Sequence, residues 1–417
     1  MSLLLAMTLI FSSLPVFSAE PSETLSLPVL LRELKESNPE LSAARKRWEA
    51  AQVRIPLSRG LPAPKIGVEF EEIPRGTVKF NKATAMYQLI QSLPFPGKLS
   101  LKQKMAVAEA QIAAASFKRT EWEVAGQLKS VYYDLFLLER QVEIEQAQKL
   151  WIDQAATAAQ ARYVTGTTPQ SELLRLQMEA LETSNQVSVL KHRREAMAAH
   201  LNHLLNRPAA APVGSPAKIL FQPVPSTPAE LIKQAQENQP DLLSFKFSAD
   251  RAEASWRLSK RELLPDLETM LELRNPAMGP VGPWDLSLAI ALPFWFWTKQ
   301  QYGVKAALYD KESAEAAYRG VQNEVARRIH ENWHEAQADY ETVSLCREGL
   351  IPLARQAVEG ALAAYQSGRG SFMEVVDVLR ALKEREMTYY EHGVALEQRL
   401  ILLEQAAGVP LKEDHQT

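Results

Sequence analysis

Two stretches of this 417-residue chain place reactive side chains at spacings that chemistry uses. The first is His330-Glu331-Asn332-Trp333-His334, which has the spacing H-E-x-x-H. Residues four apart share a helix face, so the two imidazoles would hold a zinc ion and Glu331 would act as the base of a peptidase. The pattern is short and no third histidine extends it: Tyr340, not histidine, stands six past His334. The second stretch runs Gly368-Arg369-Gly370-Ser371-Phe372-Met373-Glu374-Val375-Val376-Asp377. Glu374 and Asp377 lie three apart and share a face at a helix start. Ser371-x-x-Glu374 fits a capping box, and a first-turn carboxylate also favours the helix dipole. Arg369, Arg380 and Lys383 fit either solvated helix charges or ion pairs to a neighbouring chain; exposed pairs contribute little. His192, His200 and His203 and the ten methionines form no spaced ligand set. No catalytic residue, resident metal or cofactor is expected.

The elements that position these residues are long helices. From Gly97 to Thr168 there is no proline, and helix formers dominate. Val124, Leu128, Val131, Leu135, Leu138 and Val142 step by 4, 3, 4, 3, 4, a coiled-coil seam. About 66 residues at 1.5 Å each make a rod of roughly 100 Å. A tight turn at Gly166 and a returning helix from about Thr168 follow, with Thr168 and Pro169 fitting N-cap and N1.

The pattern then repeats. Pro39 is matched by Pro240, Pro62 by Pro265, Leu93-Pro94-Phe95 by Leu292-Pro293-Phe294, Tyr163 and Gly166 by Tyr365 and Gly368, and Pro208 by Pro410, at offsets of 201, 203, 199, 202 and 202. This is a duplicated unit of about 200 residues. The first repeat is assigned to 20–206 (strands 64–72 and 83–93, helices 97–165 and 168–206). A proline-rich linker occupies 207–229. The second repeat spans 230–411 (strands 265–274 and 284–293, helices 297–366 and 371–407), with a tail at 412–417. Pro352 should kink the third of these helices. The part of the first repeat that matches H-E-x-x-H, near Lys129–Tyr133, has no ligand set, which suits a helical shaft. Glu172 is the counterpart of Glu374, whereas Asp377 is matched by Arg175, so the repeat does not account for Asp377.

The strands alternate. Ile66, Val68 and Phe70 oppose Gly67, Glu69 and Glu71, and Trp284, Leu286, Leu288 and Ile290 oppose Asp285, Ser287, Ala289 and Ala291. Strands of about ten residues with one apolar face suit a tilted crossing of a bilayer. Only a closed barrel survives there, and about eight strands is the small limit, so four per chain demand an oligomer. Residues 1–19 read as a signal peptide, with Leu3–Phe11 apolar, Val16 and Ser18 placed for cleavage after Ser18, and no basic start. No later run is apolar enough for a membrane helix. The net charge of −3 is mixed along the chain and excludes a nucleic-acid footprint. Cys346 is the only cysteine, so no internal disulfide forms and no lipid-bearing cysteine follows the cleavage site.

The duplicated strand-pair and helix-hairpin unit, the Leu-Pro-Phe strand exits and the Tyr-x-x-Gly tips resemble the TolC family of outer-membrane factors over about Leu25–Leu411. Phe95-Pro96-Gly97-Lys98 and Thr167–Arg175 are most similar to the branch serving heavy-metal efflux pumps. The resemblance implies a mostly α fold with a membrane β-barrel: a homotrimer with a twelve-stranded barrel in outer-membrane lipid and an α-helical barrel through the periplasm. It implies a periplasmic adaptor, met at the tips Gly166, Thr167, Gly368 and Arg369, and an inner-membrane RND-type pump. It places Glu374 and Asp377 in an acidic ring at the periplasmic entrance, attractive to cations and blocked by multivalent ones. The function it implies is a passive exit duct for heavy-metal cations. The rivals are the same duct for drugs or type I protein secretion, a soluble periplasmic coiled-coil scaffold, and the zinc peptidase. The Trp295-Phe296-Trp297 cluster fits an aromatic belt at the inner interface or a packing plug between barrel and helices.

Overall fold

Asn38-Pro39 and Gln239-Pro240 each open a helix, and Gly166, Gly368 and Gly408 each follow the end of one. The computed structural model describes residues 24–71, 84–166, 169–274, 284–292 and 296–411. In order the elements are α1 (Leu27–Ser37), α2 (Pro39–Leu57), β1 (Lys65–Glu71), β2 (Thr84–Leu93), α3 (Lys98–Val164), α4 (Gln170–Leu204), α5 (Pro228–Asn238), α6 (Pro240–Arg261), β3 (Asp266–Arg274), β4 (Trp284–Ala291), α7 (Gln301–Leu345), α8 (Ile351–Gln366) and α9 (Phe372–Ala407). The expected leader 1–19, the strand turns at 74–76 and 276–283, Thr167, Thr168, Pro293–Trp295 and the tail 412–417 lie outside the described residues.

The described chain divides into two compact units, and each draws on both sequence repeats. One comprises Val131–Leu220, Leu345–Val394 and the N-terminal stretch to Glu33. The other comprises Leu34–Ser130, Phe221–Ser344 and the C-terminal stretch from Ala395.

In the second unit, Asn38 Oδ1 accepts from the N–H groups of Glu40 (2.9 Å) and Leu41 (3.1 Å), and Pro39 opens α2 where no N–H is needed. Gln239 does the same for α6, accepting from Leu242 N–H at 2.5 Å ahead of Pro240. The strands form one antiparallel sheet in the order β1-β2-β3-β4. Facing pairs share a face, so register decides the chemistry of each side. Ile66, Leu89, Leu271 and Leu286 form one row across the sheet, and Val68, Tyr87, Leu273 and Trp284 the next. All eight are exposed, Ile66 at 82%. The opposite face carries a polar cluster: Gln88 donates to Glu69 (2.6 Å) and Glu272 (3.3 Å), and Arg274 lies 3.4 Å from Glu272 and 3.3 Å from Asp285. β2 joins β3 between the two repeats, a pairing that neither repeat's alternation specifies. The strand ends are tied to α3 through Asp266 Oδ1, which accepts from Phe95 N–H (2.6 Å) and Lys98 Nζ (2.7 Å). Lys98 also donates to the Leu264 carbonyl (2.9 Å). At the other junction Trp297 is half exposed, and the turn Phe296–Gln300 is π-helical before α7 begins.

In the first unit the proline-rich stretch is pinned rather than slack. Leu25 N–H donates to the Ser215 carbonyl (2.8 Å), Tyr132 Oη donates to Leu25 O (3.3 Å) and accepts from Ala217 N–H (3.2 Å), and Asn202 donates to the carbonyls of Ala209 and Ala211. Burial pushes the Tyr132 phenol up from its usual range. In this unit the seam of α3 is buried at Val131 and Leu135, but Leu138 and Val142 are only half-buried. The buried stripe resumes at Ile144, Gln148, Ile152, Ala155 and Ala159. An α-helix turns every 3.6 residues, so a 3.5-residue seam drifts by about 20° per heptad and must be re-phased. Just before Pro352, where the sequence predicts a disturbed helix, the backbone widens to a π-helical turn at Cys346–Leu350, and Pro352 falls in the first turn of α8. A π turn removes the carbonyl clash that proline makes inside a regular helix.

Candidate functional site

The tip region lies wholly within the first unit. Four helices meet over an apolar core that includes Ile152 of α3, Leu176 of α4, Leu362 of α8 and Val375 and Leu379 of α9. Each hairpin turns on a glycine that a side chain would strain: Gly166 at φ +73° and Gly368 at φ +79°. Gly166 N–H donates to the Tyr163 carbonyl (3.0 Å). At the second tip Gly368 N–H donates to Tyr365 O (3.0 Å) and Arg369 N–H to Ala364 O (2.9 Å), the paired bonds of a Schellman cap. Among the described residues, chain neighbours aside, no atom lies within 4 Å of where a Cβ would sit on Gly166 or Gly368, and both glycines are exposed.

The repeat landmarks part company here. Tyr163 is 41% exposed, whereas Tyr365 is 1% exposed and among the most buried large side chains. Its Oη donates to Glu172 Oε1 at 2.6 Å, while Arg162 donates to its carbonyl (3.1 Å) and stacks over its ring at 5.0 Å. Burial, and then the bond to Glu172, raise the Tyr365 phenol far above its ordinary value. Tyr365 therefore keeps its proton. The stabilisation it carries is complete below about pH 10, the unfolded value, and fades only as pH rises through the raised one. Sequence reasoning paired Glu172 with Glu374 and missed this contact, whose partners lie 193 residues apart. An acidic residue just inside α4 opposite a tip tyrosine was the available signal. α4 begins at Gln170 with Pro169 as N-cap in an extended conformation and no side-chain cap bond, one residue later than the expected Thr168–Pro169 start.

Glu374 and Asp377 occupy the first turns of α9 and are both exposed. Ser371 Oγ accepts from Glu374 N–H at 3.2 Å, so the serine half of the expected cap is present. Among the described residues neither carboxylate takes a hydrogen bond or an ion pair. At 100° per residue they project roughly opposite the buried face of Val375, Val376, Leu379 and Leu382, away from the tip core. The two carboxylates thus stand side by side on the exposed face of α9.

Two of the three basic residues pair within the chain. Arg380 donates to Glu179 at 2.9 Å, and Lys383 lies 2.6 Å from Glu145 Oε1, both within the chain. The reason is local: Glu145 is 1% exposed, and a buried carboxylate without a cation is costly. Arg369 reaches only Ser367 Oγ (3.3 Å). Thr167 lies outside the described residues.

The H-E-x-x-H stretch sits in α7 of the second unit with both histidines exposed. Glu331 is held by Arg327 at 2.6 Å and is not available as a base. Among the described residues no group of three or more histidine, cysteine, aspartate or glutamate side chains could hold a metal ion, and no helix is long and apolar enough to cross a membrane.

Comparison with known proteins gives this geometry a context. The sequence model of a family described as outer membrane efflux protein matches twice, over residues 30–207 and 231–409. The chain is 21% identical over 383 residues to the cobalt-zinc-cadmium resistance protein CzcC of Cupriavidus metallidurans, covering 91% of this chain and 88% of that one. Its fold is similar to that of the outer membrane protein VceC of Vibrio cholerae (TM-score 0.78, 16% identity, 93% of this chain and 97% of that one). It is also similar to the open state of the MtrE outer membrane channel of Neisseria gonorrhoeae (TM-score 0.77, 15% identity, 99% and 100%). The chain therefore belongs to the outer membrane efflux protein family: a channel protein of the outer membrane that extends into the periplasm, and not an enzyme.

Proposed function

We propose that three copies of this chain close one outer-membrane duct that exports heavy-metal cations, fed through a periplasmic adaptor by an inner-membrane RND-type pump. The observation that carries the reading is the sheet. One face carries rows of exposed apolar side chains and the other the charged and amide cluster of Glu69, Gln88, Glu272, Arg274 and Asp285, and among the described residues β1 and β4 each pair on one side only. Unpaired strand edges are not tolerated in lipid, so further strands must come from other copies. Three copies supply about twelve strands, above the small-barrel limit of about eight. The name of the relative CzcC, a cobalt-zinc-cadmium resistance protein, supports metal cargo. The unpartnered carboxylates Glu374 and Asp377 support it too, since threefold copies would make an acidic ring that draws cations inward. Gly166 and Gly368, with Thr167 and Arg369, are the proposed adaptor contacts, because the glycine turns leave tip backbone uncovered.

The test is deletion of the gene in its host. The reading predicts reduced tolerance of Co2+, Zn2+ or Cd2+ and higher cell metal, restored by the wild-type chain, with tolerance of hydrophobic drugs unchanged. Unchanged metal tolerance with new drug sensitivity would assign the duct to drug export instead.

A further inference from the structure

The H-E-x-x-H stretch is not used by the channel reading, yet its geometry is specific. Glu331 is engaged by Arg327, which also bonds Glu324 at 2.9 Å. Asn332 is turned back onto the Arg328 carbonyl (2.8 Å). Trp333 is anchored by its Nε1–H, which donates to Ser226 O at 2.8 Å. The indole meets the His334 ring edge-on, with centroids 5.0 Å apart and planes at 88°, and so braces that imidazole. His330 stands one turn earlier with its ring nearly parallel to that of His334, at 19° and 6.4 Å between centroids. Both rings are exposed, and among the described residues neither makes a hydrogen bond; they meet each other's ring, and His334 meets Trp333.

We propose that His330 and His334 form a two-imidazole clamp for one divalent transition-metal ion of the class that favours nitrogen ligands: Cu2+, Ni2+ or Zn2+. Metal–nitrogen bonds of about 2.0–2.1 Å bring two cis ligand nitrogens to roughly 3 Å. From ring centroids at 6.4 Å, small torsion changes in two exposed side chains achieve that. Two protein ligands leave the other positions to water, so the site is labile and exchanges its ion; it is neither structural nor catalytic. Both ligands lie on α7, and the inference stands or falls independently of the cargo assigned to the duct.

The experiment uses the untagged full chain in detergent, titrated with Cu2+ alone and followed by equilibrium dialysis, electron paramagnetic resonance and tryptophan fluorescence. The wild type should show nitrogen hyperfine coupling from two imidazoles and quenching of the Trp333 contribution. His330→Ala and His334→Ala should each lose one bound ion per chain, or weaken it by about tenfold or more, and lose that quenching. Glu331→Gln should keep all three signals. Alanine is a good helix former, so circular dichroism should be unchanged, and His330→Gln and His334→Gln repeat the comparison with side-chain bulk retained. Absence of binding, binding unaltered in either histidine variant, or loss of the site in Glu331→Gln would overturn the clamp.

Discussion

Carboxylates near the tips play two opposite roles. Glu172 and Glu145 are spent inside the protein, one taking the Tyr365 hydroxyl and the other the Lys383 ammonium. Glu374 and Asp377 face solvent with no partner among the described residues. That contrast makes the second pair the candidates for ion contact. If they form the entrance ring, Glu374→Gln with Asp377→Asn should raise single-channel conductance in planar bilayers or weaken block by multivalent cations. The effect belongs to charge rather than folding, because both residues lie on the exposed face of α9. Unchanged conductance and block would remove the gate assignment. At this scale the sequence was legible where roles are local, as with Ser371 capping Glu374. It was not legible where partners are remote: Tyr365–Glu172, Arg380–Glu179 and Lys383–Glu145 each join distant segments, and one sequence carries no record of which distant charges will meet.

Elements were far more legible, because proline, glycine and periodicity act locally. Pro94, Pro96 and Gly97 stand directly before α3, which starts at Lys98, and alternating residues coincide with β3 and β4. The cross-repeat pairing of β2 with β3 was not visible, since register between separate hairpins depends on packing. The π turn was also not visible, because proline announces a disturbed helix but not how the backbone absorbs it. The close of α9 gives a quantitative check. Gly408 has φ +70°, and a Cβ there would lie 2.6 Å from the Asn238 carbonyl carbon and oxygen. Left-handed backbone alone costs a non-glycine residue roughly 1–2 kcal/mol, and the backbone contact adds to it. Gly408→Ala should therefore lower Tm clearly. Gly320→Ala, at an exposed position of α7 with nothing among the described residues within 4 Å of the added carbon, should be neutral or stabilise by about 0.5–1 kcal/mol. Equal Tm values for the two variants would contradict the assignment of Gly408 as a required turn.

For the whole molecule, the decisive feature is a sheet that cannot be finished by one chain. Its apolar rows suit lipid, its polar rows suit a water-filled interior, and its outer strands lack neighbours among the described residues. The family assignment accounts for the membrane setting, and the open edges account for the need of copies. The most direct measurement is the native mass of the protein extracted from membranes in detergent. The account predicts a complex of three chains, with the strands resistant to protease only in detergent or lipid. A stable monomer, or a dimer closing eight strands, would contradict it.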